Sequence, residues 1–327
     1  MSSHAPRGRS DERSRGREAN EPKEIPKAGW RDIFVRVKEA MARERLSIIA
    51  AGVAFYALLA ALPALTALVS VYGMVFDQDQ AMDQISALSG LIPGEAVGLL
   101  SGQLKELARA DHKALGLGAA GGLLLALWSA SAAVRTLMAA LNVAYHEQEK
   151  RGWLKRTALS LLLTLVAITG GIVALSAIVV LPAAINLLGF GAGPQGIAYY
   201  ARWPILALTY WFGLMVMYRY GPSRDRPRWS WVTWGSLAVT MLWVVGSVLF
   251  SWYVEHFGNF NKTYGSLGAV VILLMWLLLS SYAALIGAKI NAESERQTRK
   301  DSTVGEPRPL GQRHAHAADT VGRAAGS

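Results

Sequence analysis

The chain has 327 residues, of which 52% are hydrophobic and 17% charged, with a net charge of +10 and no cysteine. Soluble domains carry about 25% charged residues, so this composition excludes an ordinary soluble domain, and the lack of cysteine excludes disulfides and thiolate metal sites. The charge lies in the tails and short loops, where Lys and Arg report membrane orientation rather than nucleic-acid binding.

Residues 1–28 are rich in Arg, Ser, Glu and Pro and nearly free of apolar side chains, which predicts a disordered basic tail. The first apolar run starts near Leu46, too late and too long for the core of a secretory signal. Over 29–45, Trp30, Ile33, Phe34, Val37 and Met41 recur at helical spacing, flanked by Arg31, Arg36, Lys38, Arg43 and Arg45. Two placements fit this cytoplasmic amphipathic helix. It lies in the headgroup region with its cations on anionic lipid, or it packs on the cytoplasmic face of its own protein.

A membrane domain is expected over 46–293, with six spans at about 46–76, 115–141, 157–181, 198–217, 231–253 and 267–290. Apolar runs of about 18 or more residues are long enough to cross a bilayer as helices. Pro63 predicts a kink in the first span, and Pro182 a stop to the third. Residues 77–114 hold two short amphipathic pieces broken at Pro93-Gly94, too short and too charged to span; they predict a cap on the outer face. The tail 294–327 is charged, carries Gly and Pro, and is expected to be disordered. Lys and Arg near the span ends concentrate on one side: ahead of span 1, in the loop of Lys150, Arg151, Lys155 and Arg156, in the loop of Arg219, Arg224, Arg226 and Arg228, and after span 6. That asymmetry and an even number of spans place both termini in the cytoplasm. The fold class is therefore all-α, a polytopic transmembrane helix bundle.

Within the stretch 115–145, Arg135 is read as the only charged side chain inside an apolar span. An ionisable residue in a span is a functional candidate by default. The alternative is an anchoring role. Arg135 lies six residues before Leu141, about 9 Å at 1.5 Å per residue, a distance that a guanidinium stem can largely cover by snorkelling.

Three blocks carry a family resemblance. They are GVAFYALLAALPALTALVSVYG (52–73), LWSASAAVRTLMAALNVAY (127–145) and FGNFNKTYGSLGAVVILLMWLLLSSYAALIGAKINAE (257–293). Together they resemble the YihY/BrkB family of bacterial inner-membrane proteins, over roughly 30–295. Ala132 departs from the pattern, standing where many members carry a polar or basic residue. The resemblance implies a multi-pass protein of the bacterial inner membrane. Proposals for such proteins include envelope maintenance, resistance to serum killing as a virulence factor, and movement of lipids or other amphiphiles.

The family also carries a historical ribonuclease label. A metal-dependent nuclease needs clustered His and Asp or Glu to hold ions that activate water. The six histidines, His4, His112, His146, His256, His314 and His316, are scattered, with no HExxH and no Asp-rich cluster. No P-loop is present, so no ATP hydrolysis and no cofactor is expected. The candidate ligand-binding residues are the polar groups in or near the spans: Arg135, Ser131, Asn142, Tyr145, Tyr264 and Asn291. The expected partners are membrane lipids, anionic ones included, and not nucleic acid. The expected function is transport or flipping of an envelope amphiphile or lipid. A non-transporting envelope scaffold is the main alternative, and a membrane-bound ribonuclease comes last.

Overall fold

The computed structural model describes residues 15–75, 117–187, 192–257 and 268–324. The expected outer cap and Tyr264 lie outside the described residues. After a 3-10 turn at Pro22–Glu24 come α1 (Lys27–Arg43), α2 (Leu46–Val75), α3 (Leu117–Ala144), α4 (Trp153–Leu187), α5 (Ala192–Tyr220), α6 (Trp229–Phe257), α7 (Gly268–Glu295) and the short α8 (His316–Asp319). Among the described residues, four helical segments are long and apolar enough to cross a membrane: Leu124–Ala144, Trp153–Ala174, Trp229–His256 and Val270–Glu295. A fifth follows if α1 and the start of α2, which meet at a bend of 68°, count as one span. Pro182 does not stop α4, which continues to Leu187; prolines are tolerated in apolar helices where neighbours satisfy the freed carbonyl.

The chain divides into two compact units. One comprises Met1–Phe55, Thr136–Gly152 and Leu214–Ser327, the other Tyr56–Arg135 and Trp153–Gly213.

In the first unit, α6 and α7 form an antiparallel pair brought close by glycine. The Asn291 carboxamide crosses from α7 to α6, accepting from the Gly235 N–H at 2.9 Å and donating to the Val232 carbonyl at 3.3 Å. Trp243 donates its indole N–H to Ser280 Oγ at 2.9 Å, and Tyr218 of α5 donates to the Ala284 carbonyl at 2.7 Å. A Cβ on Gly287 would stand 2.5 Å from the Tyr218 hydroxyl oxygen and 2.9 Å from the Val239 Cβ. Gly287→Ala is therefore expected to destabilise the protein by about 1–3 kcal/mol through overpacking, read as a lower thermal midpoint in detergent.

The inner face of α1 closes this unit. Ile33 and Val37 pack with Ala19, Ile25, Trp231 and Ile290, and Trp30, Met41 and Ile286 border the cluster. Arg36 is also buried, donating to Glu293 Oε2 at 2.7 Å, to the Glu293 carbonyl at 3.0 Å and to Gln297 Oε1 at 2.8 Å. Of the two placements expected for this helix, packing on its own protein holds for Ile33, Val37 and Arg36. They do not face lipid.

The expected disorder of both tails is corrected over 15–28 and 294–324, which are ordered and packed. Arg17 donates to the carbonyls of Gln297 at 3.3 Å and Gly322 at 2.7 Å, and Thr298 Oγ1 donates to the Ala19 carbonyl at 2.7 Å. Arg313 is buried and donates to four carbonyls, those of Lys300, Ala318, Arg299 and Arg308, at 2.7–3.1 Å. Composition predicts disorder because these segments bury little apolar area. They order instead through guanidinium groups, whose donors engage backbone carbonyls, remote in sequence for Arg17 and within the C-terminal segment for Arg313.

In the second unit, α4 and α5 approach closely enough that a Cβ on Gly170 would touch Thr209 Cγ2 at 3.4 Å. The hydroxyls of Ser160, Thr164, Thr169 and Thr209 donate to carbonyls three or four residues back in their own helices. Such bonds satisfy the hydroxyl locally.

Candidate functional site

Arg135 and Ser131 come together in the second unit. Trp128, Ser131 and Arg135 are spaced by three and four residues and share one face of α3. The Arg135 Nη1 donates to Ser131 Oγ, its Nη2 reaches the Trp128 carbonyl at 3.5 Å, and its Cζ lies 5.1 Å from the Trp128 ring centroid. Ser131 Oγ in turn donates to the Trp128 carbonyl at 2.6 Å. Cations over indole faces are attracted by the ring quadrupole. The guanidinium thus points back along α3, as side chains on helices do, and not toward the helix's C-terminal end.

The start of α4 completes the cluster. Trp153, its first residue, lies with its ring 6.1 Å from that of Trp128. Arg156, one turn on, is the charged group that acts on Arg135, and it is a like charge. Its Nε is buried without a hydrogen bond among the described residues. Trp128 and Trp153 are both exposed, Trp153 at 71%. Arg135 therefore stands beside the basic start of a neighbouring helix. The expected depth of that side chain, measured to Leu141, does not describe its surroundings. The Arg135 guanidinium, a second arginine in the first turn of α4 with that helix's positive dipole end, and two exposed indoles form a setting that can accept an anionic group joined to an apolar body.

Asn142, Tyr145 and Asn291 lie in the first unit and are tied into its packing. Asn142 Oδ1 accepts from the Ser223 N–H at 2.7 Å, and its Nδ2 donates to Glu149 Oε2 at 3.2 Å. Arg151 holds the same carboxylate through Nε and Nη2 at 2.7 and 2.9 Å and donates onward to the Gly221 carbonyl. Burial pushes the Glu149 carboxyl up, but the hydrogen bonds from Arg151 more than offset this and hold it down at about 2. Tyr145 is fully buried beneath the Arg224 guanidinium, 5.0 Å from its ring. Its hydroxyl lies beside Asn291 without a well-formed hydrogen bond, and desolvation pushes it up. Asn291 is committed to α6, as described above.

Lys289 is a basic residue inside α7, within the apolar segment Val270–Glu295. Arg135 is therefore not the only charge within a span. The Lys289 side chain is fully buried, and its Nζ donates to the Ala144 carbonyl at 2.9 Å and to Glu44 Oε1 at 2.7 Å, with His146 Nε2 3.0 Å away. Ala144 ends α3, whose last carbonyls lack helical partners. His146 adopts a left-handed conformation there (φ 56°), and the chain turns back with bonds from the His146 N–H to the Val143 carbonyl and from the Glu147 N–H to the Asn142 carbonyl. That pair of bonds is a Schellman motif, and Lys289 supplies the cation at the negative end of the helix dipole. Burial pushes the Glu44 carboxyl up, and hydrogen bonds from His146 and Lys289 reverse this and hold it below its ordinary value. A second pair, Arg224 Nη2 with Glu295 Oε2 at 2.6 Å, has both side chains fully buried, and Ser302 Oγ donates to the same carboxylate oxygen at 2.7 Å. Among the described residues, no three His, Asp or Glu side chains are grouped so as to hold a metal ion.

Long apolar helices whose charged groups collect at their ends define a polytopic membrane protein. The chain belongs to the BrkB family: a family profile described as "Virulence factor BrkB" matches residues 37–310. The resemblance carried by the three sequence blocks is thus borne out. A relative from Bacillus subtilis (strain 168), described as "Putative ribonuclease-like protein YfkH", is 31% identical over 179 residues, covering 52% of this chain and 63% of the relative. The "UPF0761 membrane protein IL2447" of Idiomarina loihiensis is 29% identical over 160 residues, covering 48% of this chain and 54% of its own. A "UPF0761 membrane protein" of Verminephrobacter eiseniae is 26% identical over 271 residues, covering 80% of this chain and 62% of its own. The chain thus spans less than two thirds of the length of each of these relatives. No solved structure matches it.

Proposed function

We propose that this protein moves an anionic amphiphile of the envelope, a lipid in the simplest case, between membrane leaflets without ATP hydrolysis in this chain. The observation that carries the reading is the Arg135–Arg156 pair. The Arg135 guanidinium lies over the Trp128 ring, the Trp153 ring at the start of α4 lies 6.1 Å from that of Trp128, Arg156 follows one turn on, and both indoles are exposed. A planar guanidinium takes phosphate or carboxylate through two parallel hydrogen bonds, and exposed tryptophans suit the interfacial level of a bilayer. In this reading the protein crosses a bacterial inner membrane six times with both termini in the cytoplasm. Reporters fused before Met1 and after Ser327 are then expected to report the cytoplasm, and one inserted at Gly94 the opposite side.

The test of the function is transfer of fluorescent lipid in proteoliposomes. Faster loss of leaflet asymmetry for an anionic lipid than for a zwitterionic one supports the proposal, and a rate equal to that of protein-free vesicles refutes it. The second reading, a non-transporting envelope scaffold, is favoured by the first unit. There, Arg36, Arg313 and Lys289 clamp the terminal segments and helix ends into a fixed surface. We also propose that the protein is not an enzyme. Purified protein is expected to leave RNA intact with or without divalent metal; cleavage that co-purifies with it and is lost in a point variant would overturn this.

A further inference from the structure

The inner face of α1 is occupied, but among the described residues the opposite face is not. Lys27, Arg31, Phe34, Val35, Lys38 and Ala42 are all exposed. They recur at three- and four-residue spacing and so lie along one stripe of the helix. Phe34 is 57% exposed and Val35 36%. The stripe contains no acidic residue, and Lys27, Arg31 and Lys38 have no hydrogen bond or ion pair among the described residues. Glu39, the nearest carboxylate on the helix, is engaged by Arg43 and Arg323 on another side. The helix is also aimed suitably. An axis turned through 68° from that of α2 runs closer to the plane of a membrane than to its normal when α2 crosses that membrane. Just past the bend, Ile48 and Phe55 of α2 are exposed apolar side chains as well.

We infer that the outer stripe of α1 docks on the anionic surface of the membrane that holds the protein. Phe34 and Val35 enter the boundary between headgroups and acyl chains, while Lys27, Arg31 and Lys38 meet lipid phosphates. Helices that combine a cationic stripe with a few large apolar residues bind interfaces in this way, and the electrostatic share depends on anionic lipid. The inward stripe of Ile33 and Val37 holds α1 to the protein, so the helix joins the protein's cytoplasmic end to the lipid beside it. This inference does not depend on transport. A scaffold would use the same contact.

The chain has no cysteine, so single-cysteine variants of the full-length protein report cleanly. Phe34→Cys and Ala42→Cys sample the stripe, and Val304→Cys, at an exposed position of the C-terminal segment, serves as the aqueous reference. Each is labelled with an environment-sensitive fluorophore in nanodiscs of phosphatidylcholine with or without phosphatidylglycerol. Labels at 34 and 42 are expected to be quenched several-fold more by nitroxide-bearing lipid, and several-fold less by iodide, than the label at 304. The contrast is expected to be larger with phosphatidylglycerol and to lose that dependence in Arg31→Glu/Lys38→Glu. Iodide quenching at 34 equal to that at 304 in anionic nanodiscs would overturn the inference. So would shielding from iodide without quenching by nitroxide lipid, which would mean that protein covers the stripe.

Discussion

Glu295→Leu is expected to destabilise the protein by about 3–5 kcal/mol, the cost of stranding a buried charge when its partner is removed. Arg224 and Glu295 are both fully buried and meet through one hydrogen bond at 2.6 Å. Arg224 joins the loop after α5 to the end of α7, and Glu295 also receives Ser302 from the C-terminal segment. Removing the carboxylate leaves the guanidinium desolvated over the Tyr145 ring, with nothing of opposite charge hydrogen-bonded to it. The pair is nonetheless imperfect, because Arg224 Nη1 and Glu295 Oε1 are buried without hydrogen bonds. Arg224→Met combined with Glu295→Leu is therefore expected to recover most of the loss, since an apolar pair of similar volume avoids both desolvation costs. Thermal unfolding in detergent of the two single variants and the double variant checks this. A Glu295→Leu protein that melts like the wild type would contradict it.

Arg135→Lys is expected to lower anionic-lipid transfer about 10- to 100-fold, the equivalent of a charged hydrogen bond worth about 1.5–3 kcal/mol, while expression and membrane insertion stay normal. Lysine keeps the charge but not the planar fork, and it cannot hold Ser131 and stack on Trp128 as the guanidinium does. The anchoring alternative makes the opposite forecast, because lysine snorkels as well as arginine. The observed conformation speaks against anchoring at the helix's C-terminal end: the guanidinium turns back to Ser131 and Trp128. Lipid transfer by purified Arg135→Lys and Arg135→Ala, compared at equal protein level, separates the two. Wild-type rates in both variants would remove Arg135 from the mechanism.

The helices themselves were legible in the sequence. Runs without charge mark where a chain can cross a bilayer, and the expected spans at 46–76 and 267–290 differ by a few residues from α2 and α7. Arg135 and Ser131 were both legible as candidates, as polar groups four residues apart on one apolar helix. Its surroundings did not. Nothing in the apolar pattern says that Trp153 and Arg156, on the next helix, come to the same place. Lys289 is not picked out by the sequence, because one charge next to the last residue of an apolar run reads as a flank. Its meaning depends on the C-terminal carbonyl of α3 and on Glu44, both remote in sequence. The ordered terminal segments were misread for a related reason. Composition measures the apolar area that a segment can bury, whereas Arg17, Arg36 and Arg313 order these segments by engaging carbonyls. The αL turn at His146 leaves no trace either, since histidine carries no signal comparable to glycine at that position.

The proposal that Arg135 and Arg156 together hold an anionic amphiphile is tested most directly by native mass spectrometry of the full-length protein released from nanodiscs of mixed bacterial phospholipids. The wild type is expected to retain an anionic phospholipid out of proportion to its share of the bilayer. Arg135→Ala/Arg156→Ala, at equal expression, is expected to release it. Identical lipid retention by the two proteins, or retention that merely mirrors the bulk composition, would contradict the account.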